Sequence, residues 1–180
     1  MYPSAAYLRS VFGDIPVSPL TSIVSKDARP SRGETRVAVL WGGYVSWFTL
    51  SGHRLSPERR KDAEAIGVRQ PDDVRIIALD NIPLPSDPEL SQLATATGLI
   101  TDRTVGMTFG YGVLLKNGAV DRRLVAHELV HVMQYERFGG IEAFLKEYVK
   151  EVAFDPGYPH GPLEKEAERL ADGVIKNPPL

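Results

Sequence analysis

The sequence predicts a single α+β domain, and three observations carry that expectation. Apolar runs of strand length, rich in β-branched and aromatic residues, recur before residue 118. After Asn117-Gly118 the apolar period changes from two to about 3.6, the repeat of a helix. The 180 residues are 43% hydrophobic, enough for one sizeable core, and no internal repeat, low-complexity tract or linker divides them. The expected architecture is a small, mainly antiparallel sheet packed on one helix, with two further helices after it.

Residues 1–34 form an irregular N-terminal arm in this reading, with Pro3, Pro16, Pro19 and Pro30 spread among Ser and Gly. A short helix fits around Ser4–Phe12. Residues 35–118 form the strand-rich part. Thr35–Leu40 and Tyr44–Leu50 flank Trp41-Gly42-Gly43 as a hairpin with a short glycine turn. Ser56-Pro57-Glu58 is a helix start: a capping serine, proline at the first helical position and an acid in the first turn. That helix runs to about Ile66 and stops at Gly67. Val74–Leu79 reads as a buried strand, closed by Asp80-Asn81 and Pro83. Thr104–Phe109 and Tyr111–Leu115 are two more strands, broken at Gly110 and ended by Lys116-Asn117-Gly118.

Residues 119–177 form the helical part. Asp121 caps a helix carrying Leu124, Val125, Leu129, Val132 and Met133, which ends at Gly139-Gly140. Ile141, Phe144, Leu145, Tyr148, Val149 and Val152 mark an amphipathic helix. Asp155-Pro156-Gly157 opens a loop, and Pro162 lies in the first turn of a last helix reaching about Ile175.

Composition excludes several chemistries. There is no cysteine, hence no disulfide framework, thiolate metal site or thiol nucleophile. A net charge of −2 argues against a dedicated nucleic-acid binder. Arg59-Arg60-Lys61 and Arg122-Arg123 read as solvated helix surface. No apolar run approaches the roughly 18 residues that span a bilayer, and no secretory signal is expected of the first residues, which lack a positive cluster followed by an unbroken apolar stretch. No membrane association is expected, and the default location is cytoplasmic, with export by another route left open. Oligomeric state is not legible. No phosphate-binding glycine loop or serine nucleophile elbow occurs.

One pentapeptide stands apart: His127-Glu128-Leu129-Val130-His131, the HExxH pattern. Residues four apart lie one turn up the same helix face, so two imidazoles can grip one ion, and neutral imidazole suits Zn²⁺. Glu128 sits roughly 100° round the helix from His127, placed to face a zinc-activated water without becoming a ligand. Four histidines and twelve glutamates predict roughly 0.006 chance occurrences of the pattern in a chain this long. Catalytic zinc usually takes a third protein ligand. The metzincin extension fails, because Gln134 and Arg137 occupy its glycine and third-histidine positions. The candidates are therefore downstream. Glu164 and Glu168 are four apart on the last helix and suit a ligand plus an acid supporting a ligand imidazole. Glu168/Asp172 repeats the spacing one turn on, and Glu166 and His160 complete the alternatives. His160, Tyr158 and Tyr148 are candidates to donate to a developing oxyanion.

HELVHVMQYE followed by PLEKEAE resembles the gluzincin branch of zinc metallopeptidases, and is similar to small bacterial peptidase-like domains carrying HE-x-x-HV-x-Q before a PLE-x-EA helix. The resemblance covers about residues 104–173, and residues 1–100 carry no family signature. It implies a zincin-like domain with His127, His131 and a downstream glutamate as zinc ligands. It also implies an edge strand, Gly106–Gly110, that pairs with extended peptide. The activity expected is zinc-dependent hydrolysis of peptide bonds in a peptide or protein substrate, with Glu128 as general base. The alternative is a zinc-binding but inactive domain acting in protein interaction. The N-terminal arm packs on the core in this reading; a latency segment bringing Asp14 or Asp27 to the metal is the competing one.

Overall fold

The computed structural model describes residues 35–41, 44–50, 52–84, 88–96, 98–140, 143–144, 147–148, 150–151 and 159–179. The N-terminal arm, Tyr158 and the Asp155-Pro156-Gly157 loop lie outside the described residues. The fold is α+β. Strands β1 (Thr35–Trp41) and β2 (Tyr44–Leu50) pair antiparallel, with Trp41 opposite Tyr44. A second sheet holds β3 (His53–Arg54), β4 (Arg75–Leu79), β5 (Gly106–Phe109) and β6 (Gly112–Lys116) in the order β3-β4-β6-β5. Its helices are α1 (Pro57–Ile66), α2 (Pro88–Ala96), α3 (Arg122–Phe138) and α4 (Pro162–Lys176). Residues 143–144, 147–148 and 150–151 are also helical.

The four-stranded sheet is mixed. β3–β4 and β5–β6 are antiparallel, but β4 and β6 run parallel in register from Arg75↔Gly112 to Leu79↔Lys116. Parallel neighbours need a long crossover, and residues 80–105, with α2 among them, supply it. That helix breaks the expected order of strands before helices. Its Pro88-Glu89 start repeats the signal that opens α1.

Local chemistry sets the helix ends. Ser56 Oγ accepts the Arg59 N–H at 3.3 Å, and Asp121 Oδ1 accepts the Leu124 N–H at 2.7 Å. α1 and α3 close on Gly67 (φ +102°) and Gly139 (φ +80°), where left-handed backbone favours glycine. The start of α4 is capped from elsewhere: Glu151 Oε2 accepts the Leu163 N–H at 2.9 Å. Gly161 makes room, since a Cβ there would lie 2.6 Å from that oxygen.

The central strands β4 and β6 are buried on both faces, and their side chains alternate between them. Ile76, Val113 and Leu115 meet Ala63 and Ile66 of α1, Val125, Leu129 and Val132 of α3, and Ala167 and Ala171 of α4. Ile77 and Leu114 turn to the opposite cluster with Ile82, Ala94 and Ile100. Leu114, Leu115 and Leu129 are fully buried, each contributing about 1.5–3 kcal/mol through removal from water. Alanines at 167 and 171, four apart, let α4 approach α3 closely.

Of the basic pair at the start of α3, Arg123 is exposed as expected, but Arg122 is half-buried. Arg122 forks onto Asp62 at 2.8 and 2.7 Å, joining α3 to α1, while Arg123 pairs with Asp172 of α4 at 2.8 Å. Asp62 is only 2% exposed, so its charge needs that partner. Glu136 does the same at the other end of α3. It accepts the Arg69 and Gln70 N–H groups at 2.7 and 3.0 Å and the Tyr111 hydroxyl at 3.0 Å. Burial and the neighbouring Glu136 push the Tyr111 hydroxyl up to about 12. No helix among the described residues is long and apolar enough to cross a membrane.

Candidate metal centre

α3 presents His127 and His131 one turn apart, and α4 brings Glu164 from its first turn to meet them. The His127 and His131 Nε2 atoms are 3.2 Å apart. Glu164 Oε2 lies 3.3 Å from His127 Nε2, and Glu164 Oε1 lies 3.4 Å from His131 Nε2. Ligands bound tetrahedrally at 2.0–2.1 Å stand about 3.3 Å from one another, from the bond lengths typical of zinc. The three donors could therefore hold one metal ion. The donor set, two imidazoles and a carboxylate, suits zinc chemically.

The electrostatics are those of a charged cluster under cover. Burial opposes ionisation of Glu164, but hydrogen bonds from His127 and His131 outweigh it and hold the carboxyl well below the usual range. Burial likewise lowers the His131 pKa, yet the hydrogen bond and charge of Glu164 prevail and push it up to about 9. Tyr148 donates its hydroxyl to Glu164 Oε1 at 2.5 Å, and its ring stacks on buried Phe144, which stacks in turn on Tyr135. This aromatic wall closes the cluster on one side.

Glu128 lies next to the cluster and is 4% exposed. Thr108 Oγ1 donates to its Oε2 at 2.7 Å, fixing one carboxylate oxygen. A Cβ on Gly106 would collide with the other, Oε1. Glycine at 106 thus leaves the Glu128 carboxylate its place, because β5 runs directly over it.

A cavity of about 80 Å³ joins these parts, lined by His127, Glu128, His131 and Glu164, by Gly106 through Phe109, and by the aromatic wall. Successive residues of β5 face opposite sides of the sheet. A cavity touching all four therefore runs along the strand's edge. β5 is the last strand of its sheet among the described residues. The Lys116 N–H donates to the Val105 carbonyl, which makes Met107/Leu114 and Phe109/Gly112 the bonded pairs by alternation. The backbone N–H and C=O groups of Gly106 and Thr108 then point away from β6. Tyr135 donates to the Thr108 carbonyl at 3.0 Å.

Of the residues singled out in the sequence, His127, Glu128, His131 and Glu164 come together. Glu168 does not. It is exposed one turn along α4, so it gives no support to a ligand imidazole. Glu166 turns away, taking Arg137 at 2.7 Å through both oxygens. His160 is exposed and is not among the cavity-lining residues. The sequence picks out Gln134 and the strand Gly106–Gly110, but not the contact of Gln134 with His131 or those of Thr108 and Gly106 with Glu128. Gln134 carries the only local signal, lying three residues from His131 on the same helix face. No protein-family model matches the chain, and no curated protein or solved structure gives a significant match.

Proposed function

We propose that this chain is a zinc metalloendopeptidase of the gluzincin type. One observation carries the reading. A HExxH helix and a downstream glutamate form a cluster with tetrahedral ligand spacing, beside the Glu128 carboxylate and the end strand of a sheet. Zinc held by His127, His131 and Glu164 would supply Lewis acidity toward a carbonyl and bring the pKa of water near 7. Thr108 keeps Oε2 of Glu128 occupied, so Oε1 is the atom that accepts the proton of the attacking water and returns it to the leaving amine. The N–H and C=O of Gly106 and the N–H of Thr108, which point away from β6, would pair with an extended peptide, which favours internal peptide bonds as substrate. The Tyr148 hydroxyl holds Glu164 rather than an oxyanion.

The test is the Glu128→Gln variant, offered a peptide library beside the wild type. The expected outcome is cleavage by the wild type and none by the variant, with zinc retained by both. A variant as active as the wild type overturns the mechanism. Stoichiometric zinc with no turnover by either protein favours the inactive, interaction-only domain.

A further inference from the structure

We infer that Gln134 is a positioning residue for the metal centre, setting the His131 tautomer and tying both ligand-bearing helices together through one side-chain amide. The inference rests on the metal-site reading above.

Gln134 has no solvent exposure. Its Nε2 lies 3.0 Å from the Leu163 carbonyl oxygen and 2.9 Å from Glu166 Oε2. Both of those atoms only accept hydrogen bonds, so the amide NH₂ must point at them. The amide oxygen is then the atom facing His131 Nδ1, at 2.8 Å. An amide oxygen only accepts, so His131 carries a proton on Nδ1. Of the two ring nitrogens only Nε2 is then left to bind a metal, and it stands 3.2 Å from His127 Nε2 and 3.4 Å from Glu164 Oε1. The orientation of a single amide thus follows from its partners and dictates which imidazole nitrogen can bind metal.

The same amide fixes the third ligand. Leu163 precedes Glu164 in the first turn of α4, and the hydrogen bond to its carbonyl anchors that turn to α3. Glu166 is itself clamped by Arg137 of α3 through both oxygens. The spacing between His131 and Glu164 is therefore held from beneath by Gln134, independently of the metal. Outer-shell partners of ligand histidines characteristically change metal affinity by about 10–100-fold when removed.

Two substitutions separate this role from mere packing. Gln134→Met keeps the volume and removes every hydrogen bond. Gln134→Glu keeps an acceptor for His131 Nδ1 but loses both donor contacts and sets a carboxylate against Glu166. Packing alone makes Gln134→Glu the more damaging change in every respect. The positioning role predicts a split: apo-protein melting falls more for Gln134→Glu, whereas zinc affinity falls about 10–100-fold for Gln134→Met and clearly less for Gln134→Glu, which loses the Leu163 anchor but keeps the acceptor for His131. Affinity is read by competition of zinc alone against a chromophoric chelator. The zinc-loaded wild type supplies a readout that depends on neither variant folding: a slowly exchanging Nδ1–H proton of His131 in nitrogen-correlated NMR. Its absence, unchanged affinity in Gln134→Met, or equal losses in both variants overturns the inference. No zinc uptake by the wild type overturns the metal-site reading and this inference together, a result distinct from the other three.

Discussion

Replacing Gly106 by alanine tests the join between strand and base. Gly106 does not require left-handed backbone, so the alanine meets no backbone strain. Its effect is steric: the new Cβ collides with Glu128 Oε1, stands 3.0 Å from Glu128 Cδ and 3.1 Å from Leu124 Cδ1. The carboxylate end is the part that can move. Moving it breaks the 2.7 Å bond from Thr108 inside a buried site, at a cost of about 1–3 kcal/mol. Alanine restricts the unfolded chain and returns about 0.4–1 kcal/mol. The net expectation is destabilisation by about 1–2 kcal/mol, or roughly 2–8 °C in Tm for a chain of this size. Neither His127, His131 nor Glu164 is among the atoms struck, so zinc affinity stays near wild type. The proposed hydrolysis, which would depend on where Glu128 sits, is expected to fall by about 10²–10⁴-fold. Thermal melting, zinc titration and peptide cleavage on the same preparation give all three numbers. A variant as stable and as active as the wild type refutes the placement of β5 over the carboxylate.

Other expectations follow from the same geometry. Tyr148→Phe removes the hydroxyl donor to Glu164 and should destabilise the apo protein by about 1–2 kcal/mol, measured by urea denaturation; no change means that the bond is not made. Zinc binding should release close to one proton from His131 at pH 7. The folded pKa is raised to about 9, so the imidazolium dominates below pH 9 and the metal displaces its proton. Release should fade above pH 9, and calorimetry in buffers of different ionisation enthalpy reads it; a buffer-independent heat at pH 7 contradicts the expectation. Free zinc at about a hundred times its Kd adds roughly 2.7 kcal/mol, equivalent to about 5–10 °C in Tm. A melting curve indifferent to zinc and chelator argues against the centre.

The parts legible in the sequence are those written locally. The caps at Ser56 and Asp121, the stops at Gly67 and Gly139 and the period of α3 depend on neighbours within one turn, and the structure has them as read. The HExxH spacing is local too. What the sequence hid depends on chain segments far apart. The parallel pairing of β4 with β6 joins residues 37 positions apart, such as Ile76 and Val113, and no local pattern encodes it. Glu164 and Glu168 share one helical spacing, and only tertiary packing buries the first under Tyr148 and leaves the second exposed. Arg122 reads as surface until Asp62, sixty residues earlier, is placed beneath it. Thr108 and Gly106 look like ordinary strand residues because the carboxylate they accommodate lies on α3.

In the proposed centre His127, His131 and Glu164 share one zinc ion. X-ray absorption at the zinc edge, on protein with its metal content measured, tests that directly. One zinc per chain is expected, with nitrogen and oxygen ligands at about 2.0–2.1 Å and the multiple scattering of two imidazoles, which is lost when His127 and His131 are replaced. Protein that takes up no stoichiometric zinc, or zinc whose spectrum carries no imidazole, contradicts it.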